Sequence, residues 1–167
     1  CVNAAGAWSW QIASMAGVTI PNRPFRRNVI VTESLRPFLH TLLRISYPYE
    51  GWVHQTLRGE VVGGVISPDE PSGINFQPSV FGLLAAAREL TRLIPALANV
   101  RVIRQFTGHY DLTPDSAPLI GRSRVVEGFY HANGYNGRGF TYGLAAGNYI
   151  AHLIARGDEW EEMKPFD

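Results

Sequence analysis

The chain has 167 residues, 46% of them hydrophobic and 17% charged, a balance that can bury a real core and excludes a disordered segment. Its formal net charge is +1 and its 15 Lys and Arg are dispersed, which excludes a nucleic-acid surface built on clustered cations. Cys1 is the sole cysteine, so neither an internal disulfide nor a thiolate metal site can form. No apolar run approaches the roughly 18 residues that span a bilayer, and no signal peptide is evident, so the expectation is a cytoplasmic protein without a membrane span. The opening CVNAAGAWS starts inside an element, with no Met or polar lead-in, and suggests a piece of something longer.

In chain order, residues 2–5 read as a short apolar strand, with Gly6 as a turn and Ser9 as a helix cap. Residues 10–17 suit a short helix closed by Gly17. Pro21, Pro24, Arg23, Arg26 and Arg27 read as a connector, followed by a β-branched strand over residues 28–32. Ser34 is placed to cap a short helix whose Leu35, Phe38, Leu39, Leu42 and Leu43 share one face. Residues 47–55 and 60–66 flank Thr-Leu-Arg-Gly and predict a hairpin, and residues 67–78, rich in Pro, Ser, Gly and Asn, predict a loop. Ser79 then caps a helix with Val80, Phe81, Leu84, Ala87, Leu90 and Ile94 at the 3.6 period, ended by Pro95. Residues 100–110 predict a long strand, 111–121 a turn-rich connection, 129–132 a short strand, and 142–155 a helix ended by Gly157. There are no internal repeats, and without regular strand–helix–strand alternation the mixture predicts an α+β fold.

The stretch HANGYNGRGFTYG, residues 131–143, sets Gly134, Gly137, Gly139 and Gly143 between a strand and a helix. Glycine lets a backbone approach a ligand closely, and a helix start offers unpaired N–H groups and partial positive charge. An anion or an electron-rich ring edge is the natural guest. The plainer reading is a tight turn that needs positive φ at Gly134, Gly137 and Gly139. The spacing is not a phosphate motif: GxxxxGK[ST] is absent, and Tyr142 stands where a dinucleotide fingerprint needs its third glycine.

Three segments in this order, VNAAGAWS at 2–9, DLTPDSAPLIG at 111–121 and NGYNGRGF at 133–140, resemble the C-terminal half of the flavin-dependent D-amino-acid oxidase superfamily. That superfamily includes glycine oxidase, sarcosine oxidase and its β-subunit, and amine or opine dehydrogenase relatives. The resemblance runs over essentially the whole chain. It implies a substrate-binding domain with a mixed β-sheet plus the C-terminal strand and helix of an FAD-binding domain. Family members grip the FAD pyrophosphate with a GxGxxG that this sequence lacks, so the N-terminal dinucleotide-binding part is expected to be missing. The implied division is residues 1–20 as late strand and helix of the FAD-binding domain and 21–107 as substrate-binding domain. Residues 108–167 then return to the FAD-binding domain with a flavin-facing loop and a C-terminal helix.

The function implied is the C-terminal portion of an oxidoreductase that oxidises an amine or amino acid, of glycine, sarcosine, D-amino-acid or opine type, to an imine by hydride transfer to FAD. As an isolated fragment the chain is expected to be inactive and not to retain FAD. Its implied partners are a small amine or amino-acid substrate and either the missing N-terminal half or partner subunits. The helix at 142–155 and the strand at 2–5 would bury one side against that half, so self-association is expected of the chain alone. The alternative is a non-catalytic binding or assembly domain that keeps the fold without its own flavin.

Residue by residue, the resemblance sets Ala4, Gly6, Ala7 and Trp8 beside FAD. It sets Gly134, Asn136, Gly137, Arg138, Gly139, Phe140 and Thr141 over the pyrimidine edge of the flavin, with the helix start aimed at the oxygen that becomes negative on reduction. Thr141 falls where monomeric sarcosine oxidases keep a Lys that helps react with oxygen, which favours a dehydrogenase. Gly108 falls where some relatives carry the Cys that attaches flavin, so FAD is expected to be noncovalent. Tyr110 falls where amino-acid oxidases place an Arg for the substrate carboxylate and sarcosine oxidases a Tyr, with Arg138 a further loop cation. His54 and His109 are candidate substrate contacts because strands of this domain line the pocket in the family, although a lone strand histidine is more often structural. Tyr47, Tyr49 and Trp52 could wall an apolar pocket or simply fill a core. Asp111 and Asp115 flank a Thr-Pro turn and read as caps of backbone N–H groups. No catalytic acid or base is assigned, and His40, His131 and His152 lack metal-ligand spacing.

Overall fold

The computed structural model describes residues 1–67, 69–71 and 73–166. The chain folds as a mixed α+β protein with two sheets, in two compact units: residues 1–25 with 109–167, and residues 26–108. The chain passes from one unit to the other inside strands. These are β2 (Arg23–Ser34) on the way out and β6 (Val102–Leu112) on the way back.

The first unit holds a three-stranded sheet in the order β1 (Val2–Asn3), β8 (Tyr130–Asn133), β7 (Leu119–Arg122). β1 lies parallel to β8, with Val2 opposite Tyr130, and β7 runs antiparallel to β8, with Leu119 opposite Asn133. Helix α3 (Gly139–Arg156) presents Ala146, Tyr149, Ile150 and Leu153 at helical spacing and buries them with Ile120 of β7. Gly157 ends α3 in the left-handed region at φ +84°, its N–H donating to Leu153 O at 3.1 Å. Helix α1 (Ser9–Met15) packs Ala13 with Val18 and Phe129.

The second unit holds a five-stranded sheet in the order β3 (Leu43–Ile45), β4 (Gly51–Gln55), β5 (Glu60–Val65), β2, β6. Helix α2 (Val80–Leu93) covers one face, burying Ala86 and Leu90 with Ile30, Ile45, Val53, Val61 and Val65. The Ser79 hydroxyl accepts from Gly82 N–H at 3.0 Å and caps α2 as the sequence predicts. Ser79→Ala is expected to lower unfolding free energy by about 1–2 kcal/mol, measured by urea denaturation. An unchanged midpoint and slope would mean that the cap contributes nothing.

Four sequence expectations are corrected. The helix expected after Ser34 is absent: Ser34 ends β2, residues 35–42 are irregular, and Leu43 enters β3 opposite Val53. Pro37 disfavours the helical region for Arg36, inside the first turn that a Ser34 cap would require. The Gln55 side chain supplies what a helix would have: its Oε1 accepts from Phe38 N–H at 2.8 Å and Leu39 N–H at 3.1 Å, while its Nε2 donates to Gly59 O at 2.9 Å. Within residues 111–121, expected as a turn-rich connection, β6 continues to Leu112 and β7 begins at Leu119. β2 starts at Arg23, inside the expected connector. Ser9 does not cap α1 but opens it, with Trp8 at the cap position. The hairpin closes as expected through Thr56 N–H to Glu60 O at 2.8 Å, though its first strand starts at Gly51 rather than at Tyr47. The loop expected over 67–78 has no regular structure in its described residues, and Pro68 and Ser72 lie outside them.

Candidate functional site

In the first unit, the parallel strands β1 and β8 are each followed by glycine-bearing turns, Gly6 after β1 and residues 134–138 after β8. Gly6 takes φ +54° and a Cβ built there would meet nothing within 4 Å. Gly134 and Gly137 take φ +73° and +84°, and Asn136 between them takes +52°. Gly139, which the turn reading also expected at positive φ, instead opens α3, three residues before the expected helix start.

Buried polar side chains shape the loop. The Asp111 carboxylate accepts from Gly134 N–H at 2.6 Å and from the Asn22 amide at 2.9 Å, both on Oδ2. The Asp111 main-chain oxygen accepts from Asn136 N–H at 3.1 Å. Asn136 Oδ1 accepts from Thr113 N–H at 3.0 Å, and Asn136 Nδ2 donates to Thr113 Oγ1 at 2.9 Å. Asn22 Nδ2 also donates to Asn133 Oδ1 at 2.9 Å, and Asn133 Nδ2 donates to Asn3 O at 3.2 Å. Asn3 in turn donates from Nδ2 to Ser9 O at 2.9 Å, tying β1 to the start of α1. Burial pushes the Asp111 carboxyl above the usual carboxylate range, opposed by the two donors on Oδ2. Its Oδ1 is buried and has no hydrogen-bond partner among the described residues. The turn reading is right for Asp115, whose Oδ1 accepts from Ala117 N–H at 3.0 Å. For Asp111 the capped amide lies 23 residues away, in the loop rather than in its own turn.

Tyr110 presses against the loop: a Cβ at Gly137 would lie 2.4 Å from its ring. Arg138 is exposed, donates from Nη2 to Ser116 O at 2.9 Å, and lies over the Tyr142 ring at 5.9 Å. No side chain caps α3 and no acidic residue occupies its first turn. The first intrahelical bonds are made by the N–H groups of Thr141 and Tyr142 to Arg138 O, which leaves those of Gly139 and Phe140 pointing out of the helix start. Phe140 and Leu144 are exposed at 103% and 89%, so apolar surface surrounds this helix start within the unit.

Ala4, Gly6, Ala7, Trp8, His109, Tyr110 and residues 134–141 all belong to the first unit, where the Trp8 and His109 rings lie 6.3 Å apart edge to face and the Tyr110 ring lies against Gly137. His54 belongs to the second unit. It lies on β4, on the sheet face opposite Val53, stacked on Trp52 at 5.6 Å, and its Nδ1 is buried without a hydrogen-bond partner among the described residues. His54 also lines a cavity of about 480 Å³ with His40, Thr41, Gln55 and Thr56. No cluster of His, Cys, Asp or Glu among the described residues could hold a metal ion, and none of their helices is long and apolar enough to cross a membrane. Sequence reasoning missed Asn3, Asn22, Thr113 and Asn133 as loop-holding residues. Asn3 and Asn133 carry the one available signal, an amide at the end of each of two short strands.

Parallel strands that open onto glycine turns and a helix start without a side-chain cap make an α+β unit of the layout in which cofactor-dependent enzymes hold ring edges and anions. The chain belongs to the FAD dependent oxidoreductase family, whose model matches residues 1–153. It is 30% identical over 168 residues to hydrogen cyanide synthase subunit HcnC of Pseudomonas aeruginosa, covering 99% of this chain and 38% of that protein. It is 31% identical to sarcosine oxidase subunit beta of Rhizobium meliloti, covering 92% of this chain and 36% of that one. The fold superposes on L-proline dehydrogenase from P. horikoshii with a TM-score of 0.89 at 30% identity, covering 99% of this chain and 45% of that one. The chain thus spans less than half the length of each of these three relatives. Its residues suit a flavin at the first unit: Gly6 leaves open space where a side chain would stand, and α3 presents N–H groups without a competing acid.

Proposed function

We propose that the chain is the C-terminal portion of a flavin-dependent oxidoreductase that converts an amine or amino acid, of glycine, sarcosine, D-amino-acid or opine type, to its imine. The observation that carries this reading is the glycine loop at 134–138 running into an uncapped α3, in a chain of this family. Residues 1–20 and 108–167 then serve the FAD-binding domain and 21–107 the substrate-binding domain, with the dinucleotide-binding part and its GxGxxG in sequence outside this chain. FAD, when bound, supplies the acceptor for the substrate hydride. Ala4, Gly6, Ala7 and Trp8 line one side of it, and Gly134, Asn136, Gly137, Arg138, Gly139, Phe140 and Thr141 face its pyrimidine edge. The N–H groups of Gly139 and Phe140 stabilise negative charge there, reinforced by the helix dipole. Gly108 offers no thiol, so the cofactor is held noncovalently.

Tyr110, His109, His54 and Arg138 are the proposed substrate contacts. Arg138 would meet a carboxylate while keeping, or exchanging, its bond to Ser116 O. Orientation and electrostatics suffice for hydride transfer from a neutral amine, so no acid–base pair is assigned. Thr141, in place of a lysine, favours an electron acceptor other than oxygen. Two of the related proteins carry the word subunit in their names, which supports partner chains for this one.

The test is purification of the protein at its natural length. It is expected to be yellow with bound flavin and to reduce an artificial dye with glycine, sarcosine, a D-amino acid or an opine, faster than it consumes oxygen. The 167-residue chain alone is expected to hold little flavin. Absence of flavin from the natural-length protein would overturn the reading and leave the non-catalytic alternative, and bound flavin without turnover of any of these amines would overturn the proposed substrate class.

A further inference from the structure

We infer that Asp111 is a positioning residue for the loop that receives the cofactor, fixing Gly134–Asn136 from β6 and thereby aiming the start of α3. The inference rests on the flavin reading above and goes beyond it, since Asp111 need not touch the flavin itself. Three residues at and just past the end of β6 define the mould. The Tyr110 ring lies against Gly137, Asp111 holds the N–H groups of Gly134 and Asn136 through its side chain and its carbonyl, and Thr113 exchanges two hydrogen bonds with the Asn136 amide.

A carboxylate suits this post better than a neutral turn residue would. A charged acceptor makes short bonds to backbone N–H groups, and the Gly134 bond at 2.6 Å is short. A single oxygen, Oδ2, takes both the Gly134 N–H and the Asn22 amide, so the loop is locked to the connector before β2 as well as to β6. Asp111 is 7% exposed, and no other acidic side chain takes part in the hydrogen bonds that shape the loop. Its burial carries a cost that a purely decorative turn residue would not sustain. Gly134 cannot be replaced as the adjustable partner: it sits at φ +73°, and a Cβ there would lie 2.7 Å from Thr113 Cγ2. The loop's shape is thus set from the Asp111 side.

The experiment compares Asp111→Ala and Asp111→Asn with the wild type, in the protein at its natural length. Asp111→Ala leaves the Gly134 N–H without that acceptor and the Asn22 amide with only its bond to Asn133 Oδ1, whereas Asp111→Asn keeps one carbonyl oxygen for both. Hydrogen exchange is read by mass spectrometry over residues 133–142 with α2 as an internal control. Exchange in Asp111→Ala should rise at least tenfold in the loop and the first turn of α3 but not in α2, and Asp111→Asn should recover most of the protection. The flavin potential should fall in Asp111→Ala, a tenfold weaker preference for reduced flavin being about 30 mV for a two-electron couple. Unchanged loop exchange in Asp111→Ala would overturn the inference, as would an unchanged potential alongside altered exchange. If Asp111→Ala fails to fold, Asp111→Asn decides it: loop protection within twofold of wild type with a preserved potential supports positioning, and a general loss across α2 overturns it. A wild type without flavin would sink the functional reading, and loop exchange alone would then decide whether Asp111 holds the loop.

Discussion

Gly137→Ala is expected to be among the most damaging single-methyl changes in this chain, costing about 2–5 kcal/mol of unfolding free energy from two separate sources. The first is the backbone. At φ +84° an L-residue brings its Cβ against the neighbouring carbonyl, a penalty of roughly 1–2 kcal/mol. The second is the Tyr110 ring, with Cε2 and Cζ 2.4 Å and Cδ2 2.9 Å from where the methyl must go. Relieving that overlap means moving an aromatic side chain or the loop, and overpacking of this kind typically costs about 1–3 kcal/mol. A double-mutant cycle separates the two. In a Tyr110→Ala background the ring is gone, so Gly137→Ala should cost only the backbone share. Urea denaturation of the four proteins gives the answer, and equal costs in both backgrounds would show that the ring takes no part. If the loop faces a flavin as proposed, Gly137→Ala should also release flavin more readily than a substitution of equal cost in α2.

The parts of this fold that follow short-range rules were legible in the sequence. α2 and α3 follow the 3.6-residue period and are punctuated by Ser79 and Gly157, and the β4–β5 hairpin turns at Gly59, held at φ +99° against Leu35 O. The strand, glycine loop and helix at 130–156 were legible as an arrangement, with Gly134 and Gly137 in the positive-φ role that the plainer reading assigned them. Long-range partnership was not legible. The leucines at 35, 39, 42 and 43 satisfy a helical face, yet Pro37 and a side chain far along the chain, Gln55, decide that segment. The loop is held by Asn22 and Asp111, 89 residues apart, and by Asn133 and Asn3, 130 residues apart. A polar residue near a turn reads as a local cap because local amides are the nearest donors. Only folding reveals that the amide served belongs to another element. Asp115 and Asp111 stand four positions apart and show both outcomes.

Glu70→Ala should destabilise the second unit by about 3–5 kcal/mol, the range expected when one member of a buried ion pair is removed. Glu70 and Arg26 have side chains exposed by only 1% and 6%, and Arg26 Nε donates to Glu70 Oε1. The other oxygen, Oε2, accepts from Ser79 Oγ at 2.6 Å and from Asn28 Nδ2 at 3.1 Å, while Arg26 Nη1 donates to Gln77 O at 2.8 Å. The carboxylate therefore ties the segment before α2, the cap of α2 and strand β2 into one network. Gln105 extends it from β6, donating to Asn28 Oδ1 at 3.1 Å and Ser79 O at 2.9 Å. Removing Glu70 leaves the Arg26 charge in the interior without its counter-ion and takes an acceptor from Ser79 Oγ and Asn28 Nδ2, whereas removing both charges leaves no buried charge. Glu70→Leu combined with Arg26→Met should accordingly recover most of the loss, because an apolar pair of similar volume pays no desolvation. Glu70→Gln should fall between, keeping an acceptor but losing the charge that holds Arg26. Chemical denaturation of the three variants checks the order. A double variant no more stable than Glu70→Ala would mean that packing around residue 70, rather than charge pairing, dominates. If the order holds, limited proteolysis should cut Glu70→Ala between residues 67 and 78 before it cuts elsewhere, since that segment's anchors include the bonds of Glu70 and Arg26 together with Thr107 Oγ1 to Phe76 O at 2.7 Å.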